Sequence, residues 1–463
     1  MSKKQLIIVI ATAGVLALLC GATVAIGLGL QRILPTLSNS IASAIVEPPA
    51  TVTPTPIPHI ERTPLPTSPP PKTPSEPSGP PIEPSRTGVE TGKEGVQASP
   101  LEPSTEQLLL QAIIPERDQR LLAMRLKHTG EIPNIVRETA SVFKEGDTAT
   151  FWVGDNQQIP PRQFEVTASL VYSTPHAYWW VQDSFQANQA GLKASAERFE
   201  NITYPTNRAF FGSEWSPGVD SDVRVHIFMG DVPGVAGYFS ASNEYSHLAE
   251  TYSNEREMFF INLKAMAPGS DSFDSVLAHE FQHMIHWHQD RNEDTWVNEG
   301  LSELATFING LGPSNFVGAF TATPDTQLTG WADTPGGALA HYGGSFLFMA
   351  YFLQRFGEEL TQAVVAHPQN GIAGFDAVLA ENGYAERFND IFADFLVANY
   401  LNNPSLDDGR WGYTQLTPNP IAPTERYSVY PVEQATSVYQ YGSDYIELTG
   451  VAPLTLEFTG STQ

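Results

Sequence analysis

Two histidines four residues apart mark the part of the sequence best suited to chemistry. His279 and His283 fit the pattern H-E-x-x-H within "LAHEFQHMIHW". On a helix, residues at i and i+4 share a face about 6 Å apart, so both imidazoles can reach one Zn²⁺ at about 2.0–2.1 Å. Glu280 follows the first histidine and therefore lies beside the metal without having to bind it. From there its carboxylate can take a proton from a zinc-activated water that attacks a polarised carbonyl.

A third metal ligand is expected from the next helix along the chain. The segment "TWVNEGLSELATF" carries Glu299 and Glu303 on one helical face, after a polar turn. Glu299, one turn into that helix, is placed to supply a carboxylate, which leaves a fourth position open for water, as catalytic zinc requires. Glu303 would lie behind it and accept a hydrogen bond from a ligand imidazole. His286 and His288 are rotated off the ligand face, so we expect neither to bind the metal.

These segments resemble a known class of enzymes. The order "HEFQHMIHW…WVNEGLSELA" is similar to the gluzincin class of zinc metallopeptidases, with H-E-x-x-H on one helix and N-E-x-x-(S/A) on the next. With "GVAGYFS" and "SNEREMFFIN" before them, they most resemble secreted bacterial hyicolysin-like neutral metallopeptidases, over roughly residues 204–400. The resemblance implies His279, His283 and Glu299 as zinc ligands and Glu280 as the general base and acid.

The same class places a tyrosine or histidine further along the chain, where it stabilises the oxyanion of the tetrahedral intermediate. "AHYGGSFLFMAYF" offers Tyr342, with His341 beside it, at the start of an apolar helix. Gly343 and Gly344 would let another part of the backbone approach that helix closely. We favour Tyr342 as the oxyanion donor, with His341 as the alternative.

The substrate is expected to be a protein or peptide. "SNEREMFFIN" lacks the G-x-M-E-N stretch with which aminopeptidases of the class hold a free N-terminal amine. We therefore favour an endopeptidase, in which this strand lines the cleft and pairs with an extended substrate. A zinc exopeptidase and a cell-surface binding module with a non-catalytic zinc site are the alternatives. Ca²⁺ is a second candidate metal, at the short acidic stretches "SPGVDSD" (Asp220, Asp222) and "LDDG" (Asp407, Asp408).

Charge and cysteine content exclude other kinds of site. The 463 residues include 51 acids and 25 bases, which gives a formal charge of -26. That field repels nucleic acid and anionic membrane surfaces, so nucleic-acid binding is not expected. The single cysteine, Cys20, lies in the N-terminal apolar run, so the folded part has neither a disulfide nor a Cys-based metal site. No feature of the sequence indicates an oligomeric state.

The N-terminal residues are predicted to meet a membrane. Residues 6–30 carry no charge and lie between two lysines and Arg32. A helix of that length, at about 1.5 Å per residue, exceeds the roughly 30 Å hydrocarbon core, whereas a cleaved signal has a shorter apolar centre. We expect an uncleaved anchor over residues 1–32, with the rest of the chain at the outer face of the cell membrane. The alternative is a cleaved signal and a secreted protein. Residues 33–104 are rich in Pro, Ser and Thr and are predicted to form a disordered linker.

The remaining patterns predict an α+β fold, with a zinc metallopeptidase domain over residues 105–425. It opens with a helix or the remnant of a propeptide in "EQLLLQAIIPERDQRLLAMRLKH". An antiparallel or mixed β-rich half follows over about residues 140–268, and a helical half over about 270–425, with the zinc cleft between them. Residues 426–463 are predicted to form short strands that pack on this body or belong to an incomplete domain.

The boundary of one helix in the β-rich half is read from a proline. "AGLKASAERFENITYPTNR" has helical spacing up to Asn201. A proline disfavours the helical conformation of the residue before it. The pair Tyr204-Pro205 is therefore expected to end this helix.

Overall fold

A computed structural model describes residues 104–105, 118–332, 337–450, 453 and 455–459. Residues 104 and 105 belong to a different unit of the chain from the other described residues. The predicted membrane anchor and nearly all of the predicted linker lie outside the described part. Within the described part, no helix combines the length and the apolar character that a membrane crossing needs.

A β-rich half precedes a helical half along the described chain. In order, the elements are α1 (Gln119–Leu126), β1 (Thr148–Asp155), β2 (Arg162–Ser173), β3 (Ala177–Gln182), α2 (Gln189–Arg198), α3 (Tyr204–Phe211), β4 (Val225–Gly230), β5 (Gly237–Phe239), β6 (Met258–Asn262), α4 (Asp271–Gln289), α5 (Thr295–Ile308), α6 (Val317–Ala322), α7 (Leu339–Val365), α8 (Gly371–Glu381), α9 (Phe388–Leu401), β7 (Glu425–Tyr427) and β8 (Ile446–Leu448). The predicted α+β class is confirmed.

Six strands form one mixed sheet in the order β1-β2-β3-β4-β6-β5. The first three strands are antiparallel, β4 is parallel to both β3 and β6, and β5 is antiparallel to β6. Every residue of β4 and β6 is buried, as expected of inner strands that are covered on both faces.

The sequence prediction that "SNEREMFFIN" pairs with substrate is wrong, because β6 lies inside the sheet. Both of its edges are already hydrogen-bonded, one to β4 and the other to β5. At this end of the described sheet β5 pairs with β6 alone, so the outer edge of β5, on the side away from β6, is open to an added strand.

Two adjacent tryptophans of β3 show how the sheet separates two cores. Successive side chains of a strand point to opposite faces. Trp180 packs against Phe151 in the smaller core, on the face away from the helices. Trp179 packs against Phe199 in the larger core, to which α4 contributes Phe281. The helix with the H-E-x-x-H residues therefore lies directly on the sheet.

The pair Tyr204-Pro205 begins a helix, and the prediction that it ends one is wrong. After α2, residues Phe199–Thr203 form one π-helical turn, and α3 starts at Tyr204 with the proline in its first turn. A proline is tolerated there because the missing N–H would have no partner within the helix. The Tyr204 ring then stacks on Phe281 at 5.2 Å, which ties α3 to α4.

The long helix α7 passes very close to two other helices. A Cβ added at Gly300 of α5 would lie 2.9 Å from Met349 Cγ and 3.0 Å from Ser345 O. A Cβ added at Gly343 would lie 2.2 Å from Phe316 O, at the start of α6. These close contacts position α5 and the N-terminal turn of α7, the two elements that carry Glu299 and Tyr342.

Replacing Gly343 with Ala should therefore destabilise the protein. The added methyl group must push α6 and α7 apart, and overpacking of this kind typically costs about 1–3 kcal/mol. Gly318 in α6 is the matched control, since a Cβ there meets only Asn419 Nδ2 at 3.6 Å. Chemical denaturation should show a lower free energy of unfolding for Gly343→Ala and an unchanged or higher one for Gly318→Ala. Equal values for both variants would contradict this packing.

The C-terminal residues pack on the body of the protein. Ser443 N–H donates to Pro324 O at 3.1 Å, and the Tyr445 hydroxyl donates to Leu396 O at 2.9 Å. The predicted C-terminal strands are shorter than expected: β7 and β8 have three residues each and pair in parallel. Within the region predicted to form short strands, the described residues 453 and 455–459 are not in a strand.

Candidate metal centre and active site

The helix α4 is amphipathic, with an apolar side buried in the core and a second side that carries His279 and His283. Its N-cap, Ser270, accepts the backbone N–H of Phe273. Buried apolar residues of α4 face the sheet and α3, among them Leu277, Phe281, Met284 and Ile285. His279 and His283 lie on the other side, each with a side chain that is 13% exposed.

Three side chains from α4 and α5 converge on one point. The Nε2 atoms of His279 and His283 are 3.0 Å apart, and Glu299 Oε2 lies 3.3 Å and 3.4 Å from them. Ligand atoms about 2.0–2.2 Å from one Zn²⁺ in a tetrahedral arrangement lie roughly 3.3–3.6 Å from one another. Two imidazole nitrogens and one carboxylate oxygen at this spacing fit zinc, with a fourth position left for water or substrate.

The carboxylate of Glu299 is held in its charged form by these histidines. Burial opposes that charge, but His283 and His279 outweigh it, so the pKa of the Glu299 carboxyl lies well below its usual range. For His279, burial likewise opposes the charged form, yet hydrogen bonds to Glu299 and Glu303 raise its pKa well above the ordinary value. Glu303 is the partner behind the site, with Oε1 3.2 Å from His279 Nδ1.

Glu280 lies between the convergent side chains of His279 and His283 and the edge of the sheet. Burial raises the pKa of this carboxyl, and the backbone N–H of Phe239 in β5 lies near it. The contact is close: a Cβ added at Gly237 would lie 2.6 Å from Val276 Cγ1 and 3.3 Å from Glu280 Cγ. The edge strand and this carboxylate therefore form one wall beside the convergent ligands.

Tyr342 reaches the site, and His341 does not. The Tyr342 ring centroid lies 6.3 Å from that of His279, and its hydroxyl lies near the Glu299 carboxylate. Burial and then the nearby carboxylates raise the pKa of this tyrosine well above its ordinary value. The His341 ring turns away, with Nδ1 3.1 Å from Gln327 O and its centroid 5.6 Å from that of Trp331.

The two remaining histidines of α4 are outside the convergent group. His286 is fully buried, and its Nδ1 lies 3.0 Å from Asn298 Nδ2. Burial, and to a lesser degree His283, lowers its pKa to about 3, so it is neutral and contributes no charge to the site. His288 also has a lowered pKa, through burial and then Arg291.

Sequence reasoning missed two residues behind His283, one in contact with its ring and one in contact with the first. Ser302 Oγ lies 3.0 Å from His283 Nδ1 and donates to Gln282 Oε1. Both side chains are fully buried. Their spacing carries a signal, because Ser302 stands three residues after Glu299 and so shares its helical face.

The predicted calcium stretches do not form comparable groups. Within the described residues, His279, His283 and Glu299 are the only set of three or more such side chains whose ligand atoms all lie within 4.8 Å of one another. The buried Asp220 and Asp222 are used locally instead: Asp220 accepts the backbone N–H of Asp222, and Asp222 forms an ion pair with Arg224.

No protein-family model matches the chain, and no curated protein matches it. Among solved structures, the chain is similar to a mutant of an M1 zinc metallopeptidase from Deinococcus radiodurans, with 10% sequence identity and a TM-score of 0.28. The alignment covers 60% of this chain and 64% of that chain, so this chain spans less than two thirds of it. A similarity of that size carries no argument about function, and no comparison indicates a hyicolysin-like peptidase.

Proposed function

We propose that this protein is a gluzincin-type zinc endopeptidase that hydrolyses protein or peptide substrates. The observation that carries the proposal is the convergence of His279, His283 and Glu299, with the buried carboxylate of Glu280 beside them. A zinc site that only stabilises a fold has four protein ligands, whereas three protein ligands leave a position for reactants. The inference that the protein is a hydrolase rests on this open position together with the adjacent carboxylate.

His279, His283 and Glu299 would hold the zinc ion. When bound, zinc would polarise the scissile carbonyl and lower the pKa of an attacking water. Glu303 orients the first ligand, because a carboxylate beside Nδ1 favours the tautomer with its proton there and leaves the Nε2 lone pair for the metal.

Glu280 would act as the general base and then as the general acid. Its raised pKa brings the carboxyl closer to the working pH, which makes it able both to take a proton from water and to return it to the leaving amine nitrogen. The contact of Glu280 with the Gly237 region of β5 keeps the carboxylate at the edge of the sheet. Substrate pairing along the outer edge of β5 would bring a scissile bond next to this group.

Tyr342 is the proposed donor to the developing oxyanion, and Tyr342→Phe tests it. The hydroxyl lies near the Glu299 carboxylate, and a shift toward the substrate carbonyl would let it donate there. Loss of one such donor typically lowers kcat by about 10²–10³-fold. We expect that loss for Tyr342→Phe and only a few-fold change for the control His341→Ala. A larger loss in the His341 variant would reverse the assignment.

Location at the outer face of the membrane, or secretion, is proposed from the sequence alone. It rests on the uncharged residues 6–30 with lysines before them and on the linker that follows. Fractionation of cells that express the full chain, followed by accessibility of residues 118–463 to an external protease, checks it. Protection of those residues in intact cells would contradict the proposal.

An assay with end-blocked peptides tests the proposed function. The purified full-length protein should cleave an internally quenched peptide whose two ends are acetylated and amidated. The chain lacks the G-x-M-E-N stretch with which aminopeptidases of the class hold a free N-terminal amine. Cleavage only of peptides with a free amine or carboxylate would indicate an exopeptidase. Zinc binding without any hydrolysis would indicate a binding module with a non-catalytic site.

A further inference from the structure

The two histidine ligands are supported in different ways. Behind His279 lies a carboxylate, Glu303, at 3.2 Å from Nδ1. Behind His283 lies a hydroxyl, that of Ser302, at 3.0 Å from Nδ1. A tautomer is fixed by whichever partner the non-ligating nitrogen has, so His283 depends on a group that can either donate or accept a hydrogen bond.

The Ser302 hydroxyl has a single proton, and the neighbour that accepts it determines whether Ser302 is a donor or an acceptor toward His283. The oxygen has one proton and lies within hydrogen-bonding distance of two groups that can only accept, Gln282 Oε1 and Asn298 O, the latter at 3.0 Å. Because either oxygen can take that single proton, the third contact, to His283 Nδ1, is left with the hydroxyl as acceptor. The proton of the imidazole must then be on Nδ1, and the lone pair is on Nε2.

Burial makes this arrangement strict. Ser302 and Gln282 are both fully buried, so water cannot supply another partner to either group. A buried donor or acceptor without a partner costs about 1–3 kcal/mol, which disfavours the alternative imidazole tautomer. The Nε2 lone pair of His283 then points at the group formed with His279 and Glu299.

We propose that Ser302 is a positioning residue that fixes the metal-binding tautomer of His283 through a hydrogen-bonded chain from Nδ1 to Ser302 Oγ and on to Gln282 Oε1. The inference rests on the proposed zinc site. It identifies the second x of H-E-x-x-H, Gln282, as part of the support for the metal ligands. It also makes the site asymmetric, with an anionic partner behind one histidine and a neutral partner behind the other.

Zinc affinity of the folded protein tests this role without reference to catalysis. Outer partners of ligand histidines typically contribute 10–100-fold to metal affinity. In competition with a chromophoric zinc chelator, Ser302→Ala should bind zinc about 10–100-fold more weakly than the wild type, and Ser302→Thr, which keeps the hydroxyl, should bind within a few-fold of it.

Thr306→Val is the matched control, because Thr306 is another buried hydroxyl of α5 that donates only to a backbone carbonyl, Glu303 O. Unfolding of the metal-free variants, followed in parallel, separates loss of affinity from loss of stability. Unchanged zinc affinity in Ser302→Ala, or an equal loss in Thr306→Val, would overturn the inference. A wild type that binds zinc and hydrolyses nothing would overturn the proposed function. The zinc affinities of the Ser302 variants would still test the positioning role.

Discussion

Replacing Glu280 with Gln should lower peptide hydrolysis by about 10²–10⁴-fold, the range that a general base contributes. The amide is almost the same size and keeps the Glu280 Cγ that lies against the Gly237 position, so the edge strand should stay in place. Zinc content should remain near one ion per chain, because Glu280 is not among the convergent ligands. The expected change is therefore in kcat, with bound metal preserved.

A second carboxyl-to-amide change, at a partly buried position away from the site, controls for the substitution itself. Glu293, in the turn between α4 and α5, accepts the Gly371 N–H at 2.8 Å and contacts none of the ligands. Glu293→Gln should keep its hydrolytic activity within a few-fold of the wild type. Activity and zinc content are measured on the same preparations. Wild-type activity in Glu280→Gln would contradict the assignment of Glu280 as the general base.

Replacing Glu299 with Ala should remove the metal. The side chain supplies the third ligand atom, at 3.3 Å and 3.4 Å from the two imidazole nitrogens, and loss of a ligand should weaken zinc binding by more than the roughly 100-fold that outer partners contribute. Hydrolysis should fall with zinc occupancy.

Glu303→Ala distinguishes a ligand from its support. Glu303 lies on the same face of α5 and approaches His279 from the Nδ1 side, so its loss should weaken zinc binding by about 10–100-fold. Mass spectrometry of the purified variants gives their zinc content, and chelator competition gives their zinc affinity. Tight binding of one zinc by Glu299→Ala, with the metal lost from Glu303→Ala, would exchange the two roles.

Local spacing explains why the convergence of these three side chains could be predicted from sequence. His279 and His283 are one helical turn apart, and Glu299 falls one turn into the next helix, so the geometry follows from helix periodicity and a short turn. The choice between Tyr342 and His341 could not be made as easily from sequence. Successive residues of a helix are about 100° apart around its axis, and which of the two faces the site depends on how α7 packs. The close approach at Gly343 sets the rotation of α7.

Strand order could not be predicted in the same way. The sequence of β6 has the apolar run of a strand, but which neighbours occupy its edges depends on contacts between distant segments. The three-residue β5 gives a weak pattern, although it forms the edge next to Glu280. The Ser302 contact was missed for a related reason: serines in helices usually bond their own backbone, and only the packing of α5 on α4 brings this one to His283.

The most direct test of the metal-dependent mechanism combines metal analysis with hydrolysis. The purified full-length protein should contain one zinc per chain, lose end-blocked peptide hydrolysis when a chelator removes it, and recover that activity with one equivalent of zinc. Hydrolysis that persists after the metal has been removed would contradict the central claim that His279, His283 and Glu299 hold a catalytic zinc ion.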